Sequence, residues 1–380
     1  MTTRRLLLCA ALASLLPYKN LIASERASNS TAWPYTFTDA AGRSVRIQRL
    51  PKRIIVGNYI VNFLLVGGKE SISRIVGITR DHWESARTGE YKTLTKAYPE
   101  LLAIPSIGGY HDNILNSEKI ISLKPDVLLI SRAQFQDNQS RIALFERSGI
   151  KVVVIDYHAM TAQYHVKSTL IIGHLLGRED RAGALSQSYL SGTSETISRI
   201  SALPDSAKYT PCYMELGNKG VSQYGNTYNR TVLWGAILHS IKAGNIAENM
   251  KEPWGAISRE YVISKAPRII IIGGSLWNNG QGDQMLMGLT VKREDAIKRL
   301  EAFKSRALWE TLPAVQTNDF YAVDHGSLRA INDWHFMQFL AKIFYPEAFS
   351  DVYPEKKFVQ EYRTYLPEID PSGTFMLSLK

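Results

Sequence analysis

One pattern occurs twice in this chain and limits the folds open to it. The first copy reads Asn116-Ser117-Glu118-Lys119-Ile120-Ile121-Ser122-Leu123-Lys124-Pro125-Asp126-Val127-Leu128-Leu129-Ile130. The second reads Ile257-Ser258-Arg259-Glu260-Tyr261-Val262-Ile263-Ser264-Lys265-Ala266-Pro267-Arg268-Ile269-Ile270-Ile271-Ile272. In each, a Ser ahead of an acid marks a helix start, because the hydroxyl caps free N–H groups and the carboxylate sits at the positive end of the helix dipole. Pro125 and Pro267 end those helices. The β-branched runs that follow are too short for helices and suit strands buried on both faces, as in parallel sheets. Two such units predict two similar α/β lobes, and two lobes leave a cleft.

The rest of the chain agrees with that division. Phe37 to Val45 reads as a hairpin about Gly42. Apolar strand runs recur at 53–57, 74–78, 127–130 and 152–155, separated by helical or turn segments, which is the alternation of a mainly parallel sheet. Residues 161–176 read as helix, and 178–202 as a long proline-free helix with apolar Ala182, Leu185, Tyr189, Ile197 and Ile200. At about 1.5 Å per residue the latter reaches roughly 35 Å, enough to cross between lobes. Strand runs resume at 210–216, 268–272 and 320–323, and the Tyr-, Phe- and Pro-rich C-terminal part reads as irregular. The expected organisation is a leader over 1–24, an N-terminal α/β lobe over 25–177, an interlobe helix over 178–203 and a C-terminal α/β lobe over 204–380.

The leader is expected because Arg4 and Arg5 precede an apolar stretch, Leu6 to Leu16, too short to span a bilayer. The arginine pair admits the twin-arginine route as well as the general one. Removing 1–24 takes away Arg4, Arg5 and Lys19 and no acid, so the formal charge falls from +10 to +7. The remaining basic residues are scattered, which argues against nucleic acid as a partner. Cys212 is the single cysteine past the leader, so no internal disulfide is expected. At 380 residues and 45% hydrophobic content the chain is long and apolar enough for two cores.

Signatures of catalysis are missing: no Walker loop, dinucleotide fingerprint, G-x-S-x-G, H-E-x-x-H or C-x-x-C occurs. The candidate chemistry lies after the strands, where open α/β sheets bind ligands. Arg80, Arg132 and Arg230 are candidates for anionic groups. Tyr59, Trp83, Tyr110, Tyr157, Tyr224 and Trp277 are candidate walls, and His82, His111, His158 and His325 candidate donors to a metal with open sites. His158 and His165 are seven apart and could share a helix face, although dispersed histidines are more often plain hydrogen-bonding groups. Glu118 and Glu260 occupy equivalent places in the two units; they serve either as helix-dipole acids or as paired carboxylates for a two-fold symmetric partner.

With these features the chain resembles the helical-backbone (class III) periplasmic binding proteins that serve ABC importers of iron–siderophores, haem and cobalamin. The likeness runs from Phe37–Arg43 and Pro51–Val56 through Leu123–Ser131 and Gly149–Ile155 to Asn318–Val323. It implies a non-enzymatic protein of the periplasm, monomeric and without a resident cofactor. Its ligand would be a small-molecule metal chelate, a ferric siderophore foremost, held between the lobes with modest hinge movement and passed to an inner-membrane permease and its ATPase. It also implies that Glu118 and Glu260 are the lobe-surface glutamates that dock on the permease. Haem, cobalamin, a nickel chelate or an oxyanion remain alternative ligands, and a secreted hydrolase or a protein-binding scaffold the alternatives of other classes. The loop Arg80-Asp81-His82-Trp83 and the segment Trp277 to Leu289 depart from simpler relatives.

Overall fold

The computed structural model describes residues 33–110 and 112–380; residues 1–24, expected to be a leader, and the candidate His111 lie outside the described residues. Two α/β lobes are joined by one long helix. The first lobe carries a four-stranded, all-parallel sheet in the order Ile75–Ile78, Ile54–Val56, Val127–Ser131, Lys151–Ile155. The second carries five strands in the order Met376–Ser378, Phe320–Asp324, Ile269–Gly274, Pro211–Leu216, Gly244–Asn245, all parallel except the C-terminal edge strand. The strand runs are buried on both faces: Val127 to Ile130 and Ile270 to Ile272 have no exposed surface. Each such side chain contributes about 1.5–3 kcal/mol through burial.

The repeated units match in detail. Ser117–Ser122 leads to Val127–Ser131 as Arg259–Lys265 leads to Ile269–Gly274. In the second unit Ser258 caps the helix by accepting from the Tyr261 N–H. In the first unit the cap is not the expected Ser117, which is already helical, but Asn116, whose side chain accepts from the Lys119 N–H. Just past each helix and before its proline the chain turns left-handed, at Lys124 (φ 46°) and Ala266 (φ 43°), the conformation in which helices commonly end; the proline then keeps the helix from resuming.

The long helix is Glu179–Ser201, and it packs on Ala162–Leu176 of the first lobe and Trp334–Phe344 of the second. Its buried positions include Ala182, Leu185, Tyr189, Gly192, Thr196 and Ile200. A Cβ at Gly192 would overlap the Trp334 ring, so glycine there permits the close approach. The C-terminal part is more regular than its composition suggests: Trp334–Phe344 and Pro354–Tyr365 are helices whose apolar sides join the core through Phe336, Leu340, Phe358 and Tyr362. One apolar cluster spans both lobes, from Phe63 and Leu129 in the first to Val323 and Phe375 in the second. No described helix is long and apolar enough to cross a membrane.

Candidate functional site

A cavity of about 440 Å³ opens between the carboxyl ends of the two sheets. Its first-lobe wall begins where Ile54–Val56 ends. Tyr59 sits in left-handed geometry (φ 59°) just ahead of the helix Ile60–Gly67, and its N–H donates to the Asn58 side chain. This bend aims the phenol into the cleft. Its hydroxyl lies 2.6 Å from His158 Nδ1, and its ring meets the edge of Tyr157. Tyr157 is fully buried behind it, bonded to Thr169.

The second-lobe wall is the loop after Phe320–Asp324, and it is tied at both ends. Asp324 accepts from the Gly326 N–H and from the N–H and hydroxyl of Ser327; Asp333 accepts from the N–H groups of Arg329 and Ala330. Asn62 of the first lobe donates to the Arg329 carbonyl and accepts from the Ile331 N–H. The loop thus presents His325 and Arg329 to the cavity. A third wall comes from residues 83–97, which fold across the cleft. Thr88 N–H donates to the Leu276 carbonyl, and the Arg87 guanidinium donates to the Gly326 carbonyl at 2.7 Å. Trp83 donates to Glu90 at 2.7 Å, and Trp254 stands, 55% exposed, at the mouth.

The electrostatics of these walls favour an anion. Among the described residues neither Arg87 nor Arg329 has a carboxylate at ion-pair distance, although both line the cavity. Burial, and after it the charge of Arg87, pushes the Arg329 guanidinium down to about 10, so it stays cationic at neutral pH. Desolvation, followed by Arg329 and Arg87, holds His158 down at about 3, and the same causes hold His325 well below its ordinary value. Both imidazoles are therefore neutral. Burial raises the Tyr59 and Tyr110 hydroxyls, which remain protonated. The lining also holds the Glu90 carboxylate, engaged by the Trp83 indole, so two guanidinium groups against one carboxylate leave the walls net positive; with neutral imidazoles and phenols beside them they hold anionic oxygens and present flat apolar faces to the rest of a ligand.

Of the residues singled out in the sequence, Tyr59, Trp83, Tyr110, His158 and His325 line this cavity. Others are placed elsewhere. Arg80 donates to the carbonyls of Leu101 and Leu102. His82 is an exposed left-handed residue ahead of Trp83–Ala86. Arg132 pairs with Asp156 at 3.3 Å and lies over the Tyr164 ring. Tyr224 packs on Arg306, which is held in a buried ion pair with Glu215, and accepts from Trp309. Arg230 is exposed, and Trp277 is half-buried ahead of the turn Asn278–Gly280. His165 does not join His158: its ring bonds Asp333 and stacks on Tyr189 inside the lobe interface. The residues not foreseen are Arg87, Glu90, Trp254 and Arg329. Arg329 lies a few positions beyond the loop start that the strand pattern marks, and Arg87 sits at the break between the helices Trp83–Ala86 and Thr88–Ala97, with no signal that it crosses the cleft.

Two α/β lobes, one connecting helix and a ligand-sized cavity between them define a bilobal solute-binding protein. The periplasmic binding protein family model matches residues 80–325, and the chain belongs to that family. The TroA-like periplasmic binding protein FepB from Veillonella parvula superposes with a TM-score of 0.85 at 30% identity, covering 91% of this chain and all (100%) of that one. The ABC transporter substrate-binding lipoprotein YvrC of Bacillus subtilis is 22% identical over 86% of this chain and 91% of its own. The molybdate-bound MolA of Haemophilus influenzae shares the fold, with a TM-score of 0.63 at 17% identity, over 87% of this chain and 97% of its own. The protein is thus an extracytoplasmic substrate-binding protein of an ABC transporter, from a family of transport proteins and not of enzymes. Its partners are a small-molecule ligand and the membrane permease with its ATPase.

Proposed function

We propose that this protein, exported by its cleaved leader and working as a monomer, captures an anionic metal chelate, a ferric siderophore or similar complex, and delivers it to the importer. The observation that carries this reading is the pair Arg87 and Arg329, both facing one cavity without a carboxylate partner. An unpaired buried cation is costly and is relieved by an anion. The aromatic walls Tyr59, Trp83, Tyr110 and Trp254, and a volume in the range of sites for drug-sized molecules, suit a ligand much larger than a simple oxyanion. Among the described residues no group of three or more His, Cys, Asp or Glu side chains is arranged to hold a metal ion. A metal arriving here therefore brings most of its donors with it, and Tyr59 and His158, bonded to each other at 2.6 Å, would fill an open coordination position only by giving up that bond. Glu118 and Glu260, both exposed in the first turns of matching helices, meet the permease.

The test is intrinsic fluorescence of the mature protein, since Trp83 and Trp254 line the cavity. Ferric catecholate, ferric hydroxamate and ferric citrate are titrated beside haem, molybdate and aqueous ferric ion. Saturable quenching by a ferric chelate in the micromolar range or below, beyond its own absorbance, is the expected result. Tight binding of haem or molybdate with no response to any chelate overturns it.

A further inference from the structure

Both ring nitrogens of His325 face donors. Trp234, fully buried on the helix Leu233–Ser240, donates its indole N–H to His325 Nδ1 at 3.1 Å. Arg329 Nη1, which has only hydrogens to offer, stands 3.3 Å from Nε2. A neutral imidazole has one lone pair and one N–H, and a cationic one has two N–H groups. The cation would set an N–H against each neighbour, and burial beside Arg329 and Arg87 disfavours it as well. Of the two neutral tautomers, a proton on Nδ1 would point at the indole N–H of a side chain with no room to turn away. A proton on Nε2 instead meets a guanidinium at the cavity wall, and a ligand oxygen there can accept from both. The Tyr228 ring lies nearly parallel to the imidazole, with ring centres 6.4 Å apart. Donors 3.3 Å apart can each reach a single oxygen at about 2.9 Å.

We propose that Trp234 locks His325 in its Nε2–H tautomer, so that His325 and Arg329 together grip one anionic oxygen of the ligand and His325 does not ligate the ligand's metal. The nature of that oxygen, a carboxylate, hydroxamate or catecholate oxygen of a chelate, rests on the function proposed above; the tautomer does not. Trp234 is then a positioning residue that never touches the ligand. His325 is a specificity-determining one, selecting ligands that turn a charged oxygen toward the second lobe and their metal toward Tyr59 and His158. Nickel or copper complexes that rely on imidazole to fill an open position would find His325 unavailable, because metal at Nε2 forces the proton to Nδ1 against Trp234.

The tautomer is read directly by long-range ¹H–¹⁵N correlation on the ligand-free, ¹⁵N-labelled mature protein, the His325 signals being those lost in His325→Gln. Nδ1 in the lone-pair range and Nε2 in the protonated range are expected, with the preference lost in Trp234→Phe. A protonated Nδ1 overturns the proposal, and should Trp234→Phe fail to fold, the wild-type spectrum still decides. Ferric-chelate titration supplies the second readout. His325→Gln, which keeps an N–H near the Nε2 position, should retain affinity within about threefold, and His325→Leu should lose at least about tenfold. Equal affinity of the Gln and Leu variants overturns the ligand-gripping role. If no chelate binds the wild type at all, the proposed ligand class fails, while the spectrum still tests the tautomer by itself.

Discussion

Arg329 shows how far this site departs from what stability alone would choose. It is held in left-handed backbone geometry (φ 70°), and its guanidinium stands against the neutral His325 imidazole and under the charge of a second cation, Arg87, with no carboxylate at ion-pair distance among the described residues. Asp333, the nearest acid in sequence, accepts from the Arg329 backbone N–H and not from its side chain. A buried charge in such a place weakens the ligand-free fold and strengthens the ligand-bound one. Arg329→Met is therefore expected to act in opposite directions on two measurements. The thermal midpoint of the ligand-free protein should rise, by the equivalent of about 1 kcal/mol, while affinity for a ferric chelate falls at least about tenfold through loss of a charge-assisted hydrogen bond. A fall in both would mean that Arg329 supports the fold and not the ligand.

At the scale of elements, what could be read from the chain was what is coded locally. Caps, prolines and β-branched runs decide helices and strands over a few residues. Hence Val127–Ser131, Ile269–Gly274 and the helix Glu179–Ser201 lie close to where their patterns place them. The site depends on longer reach. Arg87 enters the cavity because residues 83–97 cross to the other lobe, and Arg329 because Asp324, Asp333 and Asn62 pin a loop from three sides. No periodicity announces either event. The Asp324 anchor also carries a pH signature. Burial pushes its carboxyl up to about 6 from an ordinary 3.8, although hydrogen bonds from Ser327 and Gly326 pull the other way. Between those two values the folded protein keeps the proton and the unfolded chain has lost it. The native state binds more protons there, so this residue makes stability fall as pH rises from about 4 to about 6. The gap corresponds to on the order of 3 kcal/mol. Melting Asp324→Asn and wild type across that window should show the wild type losing stability relative to the variant as pH rises; parallel curves would mean that the carboxyl titrates at its ordinary value.

The whole molecule is tied together across its lobes and carries one exposed glutamate at the matching place on each. Its apolar cluster runs through both lobes, the long helix is packed on helices of each, and Asn62, Arg87, His165 and Tyr98 bond across to the second lobe and C-terminal segment. Ligand binding therefore has few loose parts to move, and recognition by the permease must read surfaces that are already in place. Glu118 and Glu260 are suited to that reading. Each is exposed in the first turn of the helix that feeds a central strand, so the repeated unit that shapes the two lobes also sets one carboxylate on each. Simple dipole stabilisation accounts for a few tenths of a kcal/mol per residue and predicts nothing about transport. Docking predicts a separation of functions. Reversing both charges, Glu118→Lys with Glu260→Lys, should leave chelate affinity and fluorescence quenching as in the wild type, lower the melting temperature by no more than a degree or so, and abolish uptake in cells or ligand-stimulated ATP hydrolysis by the reconstituted transporter. Either single reversal should leave partial transport, because one lobe still engages. Normal uptake by the double variant would return both glutamates to the role of helix-start acids.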